Sequence, residues 1–551
     1  MRPRADLLIV NARPWSDGAP LPGADAVAVG GGRVLAVGRA AELSPLAAAD
    51  AQRLDAGGGT LTPALVDGHI HLVAWSRSRG ALELFDCGSR GEAVARVAAY
   101  LAAHPGPGTV VGRGWDANLW SEPPERAALD AVTGSRPVLL HSKDFHTLWV
   151  NSAALARIGV TRLTSDPPGG RFEHDGAGEP NGVVREHAVG CFAALVPPEG
   201  LEEDLARVRG AVRALHAEGI TAVHDFEGVD EHRVLRALTR GDGPRVRILM
   251  HIPHIAVDHA LGLGLASGTG DDLFRVGALK LFADGTLGSQ TAALLEAYEG
   301  GADRGLELIA PAELTALVVR ATAAGLAVAI HAIGDRAVRS SLDAIAAAGP
   351  AARATALPPR IEHVQLLDRA DLPRFAALGV VASMQPSHCT SDIDNAHRHW
   401  GRRVDRSYPW RSLLGSGARL VFGSDAPVEA PASAHGLHSA VTRQRPDRTP
   451  TGGFVPAERL DLDDALTAYT EGPARAGGAW PRLGRIAPGA IADLVLWNAD
   501  LHRVAPSDLS AVQVAATVMD GEVVFERSGR TPTDPSDGRP ATEPAAARGA
   551  R

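Results

Sequence analysis

The sequence predicts an α/β protein, a distorted (β/α)8 TIM barrel with a small β-sandwich built from the N- and C-terminal segments. Three observations carry that reading. From Leu61 onward, apolar runs of four to eight residues alternate with amphipathic helical stretches, the signature of parallel βα units. Nearly every run ends in an ionisable or amide residue, as barrel strands do at their C-terminal mouth. Both chain ends read instead as short strands and turns.

At 551 residues the chain has room for one large domain and a smaller module, and 45% hydrophobic residues suffice for a large core. A net charge of −9 argues against nucleic acid or an anionic membrane surface as partner. No apolar run approaches the ~20 residues of a membrane span, and Met1 to Asp6 turns polar too soon for a signal peptide. Cys87, Cys191 and Cys389 are odd in number and widely spaced, so neither a disulfide framework nor a thiolate zinc site is expected. A cytoplasmic protein is the expectation.

Residues 1–60 hold the strands 6–10, 26–29 and 33–37, with Gly30-Gly31-Gly32 as a hairpin signal. The barrel spans 61–479. Its first strand ends at His71 and is followed by an insertion at about 74–198, irregular apart from a strand at 137–141 and helices at 91–103 and 151–158. A loop of that length inside a domain suggests a lid. Regular alternation then returns, with helices at 202–218, 229–240, 311–324, 335–348, 368–377 and 407–415. The eight strands end near His71, His224-Asp225, His254, Lys280, His331, His363, Gln385 and Asp425. A doubly wound sheet would place its site at one switch point, not at most strand ends. Residues 480–526 return to strands, with Asp520-Gly521 as a hairpin turn, and are expected to pair with those of 1–60. The composition of 527–551 reads as a disordered tail.

In an extended strand His69 and His71 point the same way, which suits either metal ligation or a satisfied polar pair. Lys280 lies inside an apolar strand, where an unpaired ammonium is costly. It either pairs with Asp284 or is held neutral and takes up carbon dioxide as a carbamate. His331, His363 and Asp425 could each be a capped core residue. Together these six residues, from five strand ends, converge on one barrel mouth and offer ligands suited to zinc and related divalent ions.

The motifs His69-Ile70-His71, Leu279-Lys280-Leu281-Phe282-Ala283-Asp284-Gly285, His331-Ala332-Ile333-Gly334-Asp335, Glu362-His363 and Gly423-Ser424-Asp425-Ala426-Pro427 together resemble the amidohydrolase superfamily. The branch they resemble is amidohydrolase family 3, which includes N-substituted formamide deformylases. Gly112-Arg113-Gly114-Trp115-Asp116 and Leu148-Trp149-Val150-Asn151-Ser152 in the insertion fit as well. The resemblance implies a metal-dependent hydrolase of a non-peptide C–N bond in a small molecule, such as an amide or formamide. It implies two divalent metal ions, zinc by preference. His69, His71 and Asp425 would hold one, His331 and His363 the other, and carbamylated Lys280 and a hydroxide would bridge them. Asp425 would be catalytic as the proton shuttle.

Asp335 and Glu362 either orient ligand histidines or serve as caps and ion pairs. Trp115, His146, Gln290, Gln385 and His388 are expected to line the substrate pocket. Cys389 is not expected to be a nucleophile. Three positions depart from the family pattern: Ala64 and Phe145 stand where glycine is usual, and Gln290 where arginine is frequent. The alternatives are a deaminase, lactonase or isomerase on the same fold, or a non-catalytic metal-binding regulatory protein. The homodimer is left open as a state of assembly.

Overall fold

The computed structural model describes residues 4–196 and 200–528. The disordered tail expected at 527–551 therefore lies outside the described residues apart from Arg527 and Ser528, and so do residues 197 and 198 of the insertion.

Eight strands form one parallel sheet: β1 (Leu65–Ile70), β2 (Ile220–Asp225), β3 (Arg247–Pro253), β4 (Phe274–Phe282), β5 (Val328–Ala332), β6 (Arg360–His363), β7 (Val381–Met384) and β8 (Arg419–Phe422). They pair in chain order from β1 to β8, as expected of a barrel. β1, β5, β6 and β7 are buried along their whole length, which is why they read as continuous apolar runs interrupted by functional residues. The covering helices fall where the apolar spacing predicts them: Leu201–Ala217 buries Leu205, Val208, Val212 and Leu215 against the sheet. Closure between β1 and β8 depends on Gly68 and Gly423. A Cβ on Gly68 would overlap Val421 and the Phe422 carbonyl, and one on Gly423 would overlap the His69 amide. With two glycines facing each other, the Asp425 amide donates to the His69 carbonyl at 2.7 Å and the His71 amide to that of Ala426 at 2.8 Å.

The insertion is a correction to the sequence reading, which expected it to be largely irregular. It holds a six-stranded mixed sheet made from Leu82–Glu83, Val110–Trp115, Val138–Ser142, Thr147–Val150, Gly170–His174 and Pro180–Glu186. Trp115, Trp120 and Trp149 pack edge to face or tilted at 5.7–6.1 Å between ring centroids and anchor a separate apolar core. Such short strands, punctuated by Gly and Pro, carry too few residues to establish a period of two.

Two further sheets join the chain ends. Ala5–Val10, Ala26–Gly30, Arg33–Gly38 and Ala47–Asp55 form one. In the other, Thr60–Pro63 pairs antiparallel with Leu494–Trp497, placing Leu61 opposite Leu496. Leu7, Ile9, Val27, Leu61, Leu494, Leu496 and Val518 belong to one apolar cluster drawn from both sheets. The Asp520-Gly521 turn has φ of +49° and +81°, a left-handed pair suited to a two-residue hairpin. Arg247 on β3 and Asp493 form a buried ion pair at 2.8 Å, tying this region to the barrel. Among the described residues no helix is long and apolar enough to cross a membrane.

Candidate active site

The C-terminal ends of the barrel strands and the insertion enclose a cavity of about 1370 Å³. His69, His71, Lys280, His331, His363 and Asp425 all line it, as expected, and so do Trp115, His146, Gln290 and His388. Gln385 does not. It is 1% exposed and lies behind His363, whose Nδ1 is 2.8 Å from its Oε1. That is a correction: Gln385 orients a histidine and does not touch the cavity. Trp115 lies partly in the insertion's core, where its indole N–H donates to the Leu140 carbonyl at 2.7 Å. Gln290 stands exposed on the rim at φ +55°.

Asp425 sits at the centre. Its Oδ1 lies 3.6 Å from His69 Nε2 and 3.5 Å from His71 Nε2, and its Oδ2 lies 3.9 Å from His388 Nε2. Burial alone would raise this carboxyl, but the imidazoles of His69, His71, His363 and His388 outweigh it and hold Asp425 well below the usual carboxylate range. The backbone is strained here: Asp425 has φ +59° and His363 φ +78°, a region that costs a non-glycine residue on the order of 1 kcal/mol and is held only by its surroundings. For Asp425 those surroundings include Asp67, whose carboxylate accepts from the Ser424 amide, the Ser424 hydroxyl and the His69 amide.

Glu362 is fully buried and sits 2.7 Å from His69 Nδ1, which leaves Nε2 facing Asp425 with its lone pair. Burial would raise Glu362, but Arg360 and His69 outweigh it and hold it far below its ordinary value. Arg360, equally buried, also donates to the Gly68 carbonyl and the Ser383 hydroxyl, so one guanidinium braces β1, β6 and β7. Below the cavity Phe226 stacks on His69 at 3.9 Å and on His251 at 4.0 Å. His251 is the imidazole that β3 turns inward. His254, read from the sequence as that strand's end, lies one residue beyond it and does not line the cavity.

Lys280 is 3% exposed. The sequence left open a pairing with Asp284, and the structure does not make it: Asp284 instead accepts from the Ala293, Ile333 and Gly334 amides. The Lys280 ammonium nitrogen rests 4.5 Å and 4.7 Å from the ring centroids of Phe226 and Phe282. Burial lowers its pKa to about 8, so a sizeable neutral fraction exists near neutral pH. Burial likewise lowers His69 to about 4 and His331 and His363 well below their ordinary value, which keeps their lone pairs free.

His331 packs edge to face on His363, with ring centroids 4.5 Å apart, and its Nε2 is 3.1 Å from the Gly285 carbonyl and 3.7 Å from Asp284. Asp335 touches no ligand histidine; it accepts from the Leu295 amide at 2.8 Å and opens the helix Asp335–Ala348. Asp284, not Asp335, is the carboxylate beside His331. On the opposite wall His146 Nδ1 pairs with Glu186 at 2.7 Å. Asp144 accepts from Thr286 and Ser289 hydroxyls at 2.5 and 2.8 Å, fastening the insertion to the loop after β4. Asp67, Asp144, Glu186 and Arg360 were not singled out from sequence; Asp67 and Arg360 stood within two residues of named motif positions. Cys389 is fully buried, with its thiol pushed up by burial to about 12, as a non-nucleophile should be.

The donors suit a divalent ion. Imidazole nitrogens and a carboxylate at 2.0–2.2 Å from a tetrahedral zinc stand roughly 3.3–3.5 Å from one another, close to the spacings of Asp425 Oδ1 from His69 and His71.

A family model described as "Amidohydrolase family" matches residues 52–525. The chain belongs to the amidohydrolase family. It is 31% identical to Protein LONG AFTER FAR-RED 3 of Arabidopsis thaliana, over 95% of this chain and 92% of that protein. It is 30% identical to the N-substituted formamide deformylase of Arthrobacter pascens, over 95% of this chain and 99% of that protein. Among solved structures, an uncharacterized metal-dependent hydrolase from Pyrococcus furiosus superposes with a TM-score of 0.69 at 27% identity, over 89% of this chain and 98% of that one. This amidohydrolase therefore shares family and fold along most of its length with proteins whose names differ.

Proposed function

We propose that this amidohydrolase is a metal-dependent hydrolase that cleaves a non-peptide C–N bond, an amide or formamide, in a small molecule. The observation that carries the reading is Asp425, a buried carboxylate held ionised between His69 and His71 on one side and His363 and His388 on the other. His69, His71 and Asp425 would hold one divalent ion, zinc by preference, and His331 and His363 would hold a second, with Lys280 beside them. Bound divalent ions make water acidic enough to attack at neutral pH and polarise the substrate carbonyl. Lys280, whose pKa burial lowers so that the free amine is more accessible than in an ordinary lysine, is the amine to which carbon dioxide would add, releasing a proton and leaving a carbamate that would supply oxygen ligands. Asp425 accepts the attacking water's proton at Oδ and returns it to the leaving nitrogen, first as general base and then as general acid. His146 and Trp115 face the substrate from the insertion. The two terminal sheets, sharing one apolar cluster, are read as the small β-sandwich.

The test is a turnover screen of the zinc-loaded protein across N-formyl, N-acyl, lactone and amino-heterocycle substrates, with Asp425→Asn as control. Amide or formamide turnover is expected, falling by about 10²–10⁴-fold in the variant while the fold is kept. Turnover confined to lactones or amino-heterocycles overturns the C–N amide reading.

A further inference from the structure

We propose that the cavity wall beyond Asp425, carrying His388, Asp392 and Glu429, is a subsite for the amine half of the substrate, and that this half bears a second, cationic nitrogen. The inference rests on the reading of the cavity as an amide-cleaving site and names the class of amine it releases.

Three loops assemble the wall. His388 lies on the short helix Pro386–Ser391 after β7, and Asp392 joins that helix to the next, Ile393–Trp400. Glu429 follows β8, and Asp116 and Lys143 come from the insertion; all five residues line the cavity. A leaving nitrogen that takes its proton from Asp425 lies against that carboxylate, whose Oδ2 is 3.9 Å from His388 Nε2. A substituent running from that nitrogen past His388 meets Asp392 and Glu429, both close enough to His388 to interact with it electrostatically.

The charges on this wall do not balance. The Lys143 ammonium is 3.0 Å from Glu429 and also feels Asp392 and Asp116, so three carboxylates share one lysine. Asp392 accepts from the Tyr408 hydroxyl at 2.6 Å. Burial nevertheless raises its carboxyl above the ordinary value, as for an anion short of a counter-charge.

Polar atoms without partners lie beside these carboxylates. His388 is 6% exposed and its Nε2 has no hydrogen-bond partner. Gln365 also lines the cavity, is 3% exposed, and its Oε1 accepts from no group. Tyr408 ties it to the same wall, since the Tyr408 amide donates to the Gln365 carbonyl at 2.8 Å. Bare buried polar groups of this kind call for a partner from outside the chain. An alkylammonium brings three N–H donors and the missing positive charge. A carboxylate in its place would face Asp392 and Glu429 as a like charge.

The experiment is calorimetric titration of the zinc-loaded full chain with α,ω-diamines of three to six carbons. Each diamine is compared with the monoamine and the ω-amino acid of the same length. All members of a set offer the same first amine, so the differences report the far group. The best diamine is expected to bind at least about tenfold more tightly than its monoamine, within the range of a hydrogen bond to a charged group, and the amino acid more weakly than both. The kcat/KM values of the N-formyl derivatives should follow the same order. Asp392→Asn and Glu429→Gln, with circular dichroism as the check on fold, should each lose about tenfold in diamine affinity. Glu429→Gln, which also releases Lys143, should bind the amino acid more tightly than wild type does. If no diamine outbinds its monoamine, if the amino acid binds wild type best, or if folded Asp392→Asn keeps the diamine preference, the subsite is overturned, while turnover of the N-formyl monoamines still upholds the amide reading. Diamine-selective binding without turnover of any N-formyl derivative keeps the wall as an amine site and overturns the amide reading.

Discussion

Lys280 shows how a single buried residue acquires a chemical meaning from its neighbours. Its ammonium has aromatic faces beside it and no carboxylate bonded to it, since Asp284 is committed to three backbone amides. Lys280→Ala is expected to lose metal and turnover, with partial recovery on adding short carboxylic acids that supply the missing oxygens. Metal content and kcat measured with and without acetate check it, and full activity without rescue rules the carbamate out. The residues at strand ends were legible because an ionisable group closing an apolar run is costly without a purpose. Their exact partners were not. Asp335 stands four residues from His331 in the sequence and Asp284 far from it, yet only the fold shows that the distant one lies beside it. Gln385 follows a strand end as the pocket residues do but lies behind His363, which itself ends its strand with φ +78°. Side-chain direction past the last regular residue depends on such left-handed positions, and a period of two does not extend to them.

At the scale of elements, the insertion supplies the wall that faces the ligands. His146 is the titratable residue it brings nearest to them, with its ring centroid 5.5 Å from that of His331. Burial would lower its pKa, but pairing with Glu186 outweighs this and raises it from 6.5 to about 9. The folded state therefore binds the proton more tightly than the unfolded chain. The resulting stabilisation is complete below about pH 6.5 and is lost as pH rises through about 9. Unfolding temperatures of the metal-free protein should fall across that window, and Glu186→Gln should remove that part of the slope. An unchanged slope in the variant assigns the pH dependence elsewhere. The barrel elements were legible from sequence because eight similar units repeat one pattern. The helix Val229–Arg240, for instance, falls within the bounds its periodicity predicts. The insertion's sheet was not legible, because its strands are short and its core rests on three tryptophans brought together from 35 residues of chain.

Across the whole molecule, the barrel and the terminal sheets share an apolar core that includes Trp15, Val495 and Trp497, and buried polar contacts fasten the same join. Asp493 is 2% exposed and accepts from both Arg247 and Thr221 on barrel strands, at 2.8 and 3.1 Å. Arg247 also pairs with Asp520, so removing Asp493 does not leave its charge uncompensated and costs about 1.5–3 kcal/mol, the range of a hydrogen bond to a charged group. Asp493→Ala should lower unfolding stability by that amount in denaturant titrations without altering metal uptake. A change below about 1 kcal/mol would place the pair among weakly coupled surface ions.

The meeting of β1 and β8 across two glycines also orders events in time. His69 and His71 leave the ribosome some 350 residues before Asp425 does. Until β8 has been made, the early histidines face open space without the carboxylate that joins the two halves of the site. A growing chain offers an ion imidazoles without the carboxylate that stands between them, so tight capture waits for the closed barrel. The same seam makes metal retention a sensitive report of completeness: a chain cut just before Gly423 keeps most of its mass but gives up Asp425.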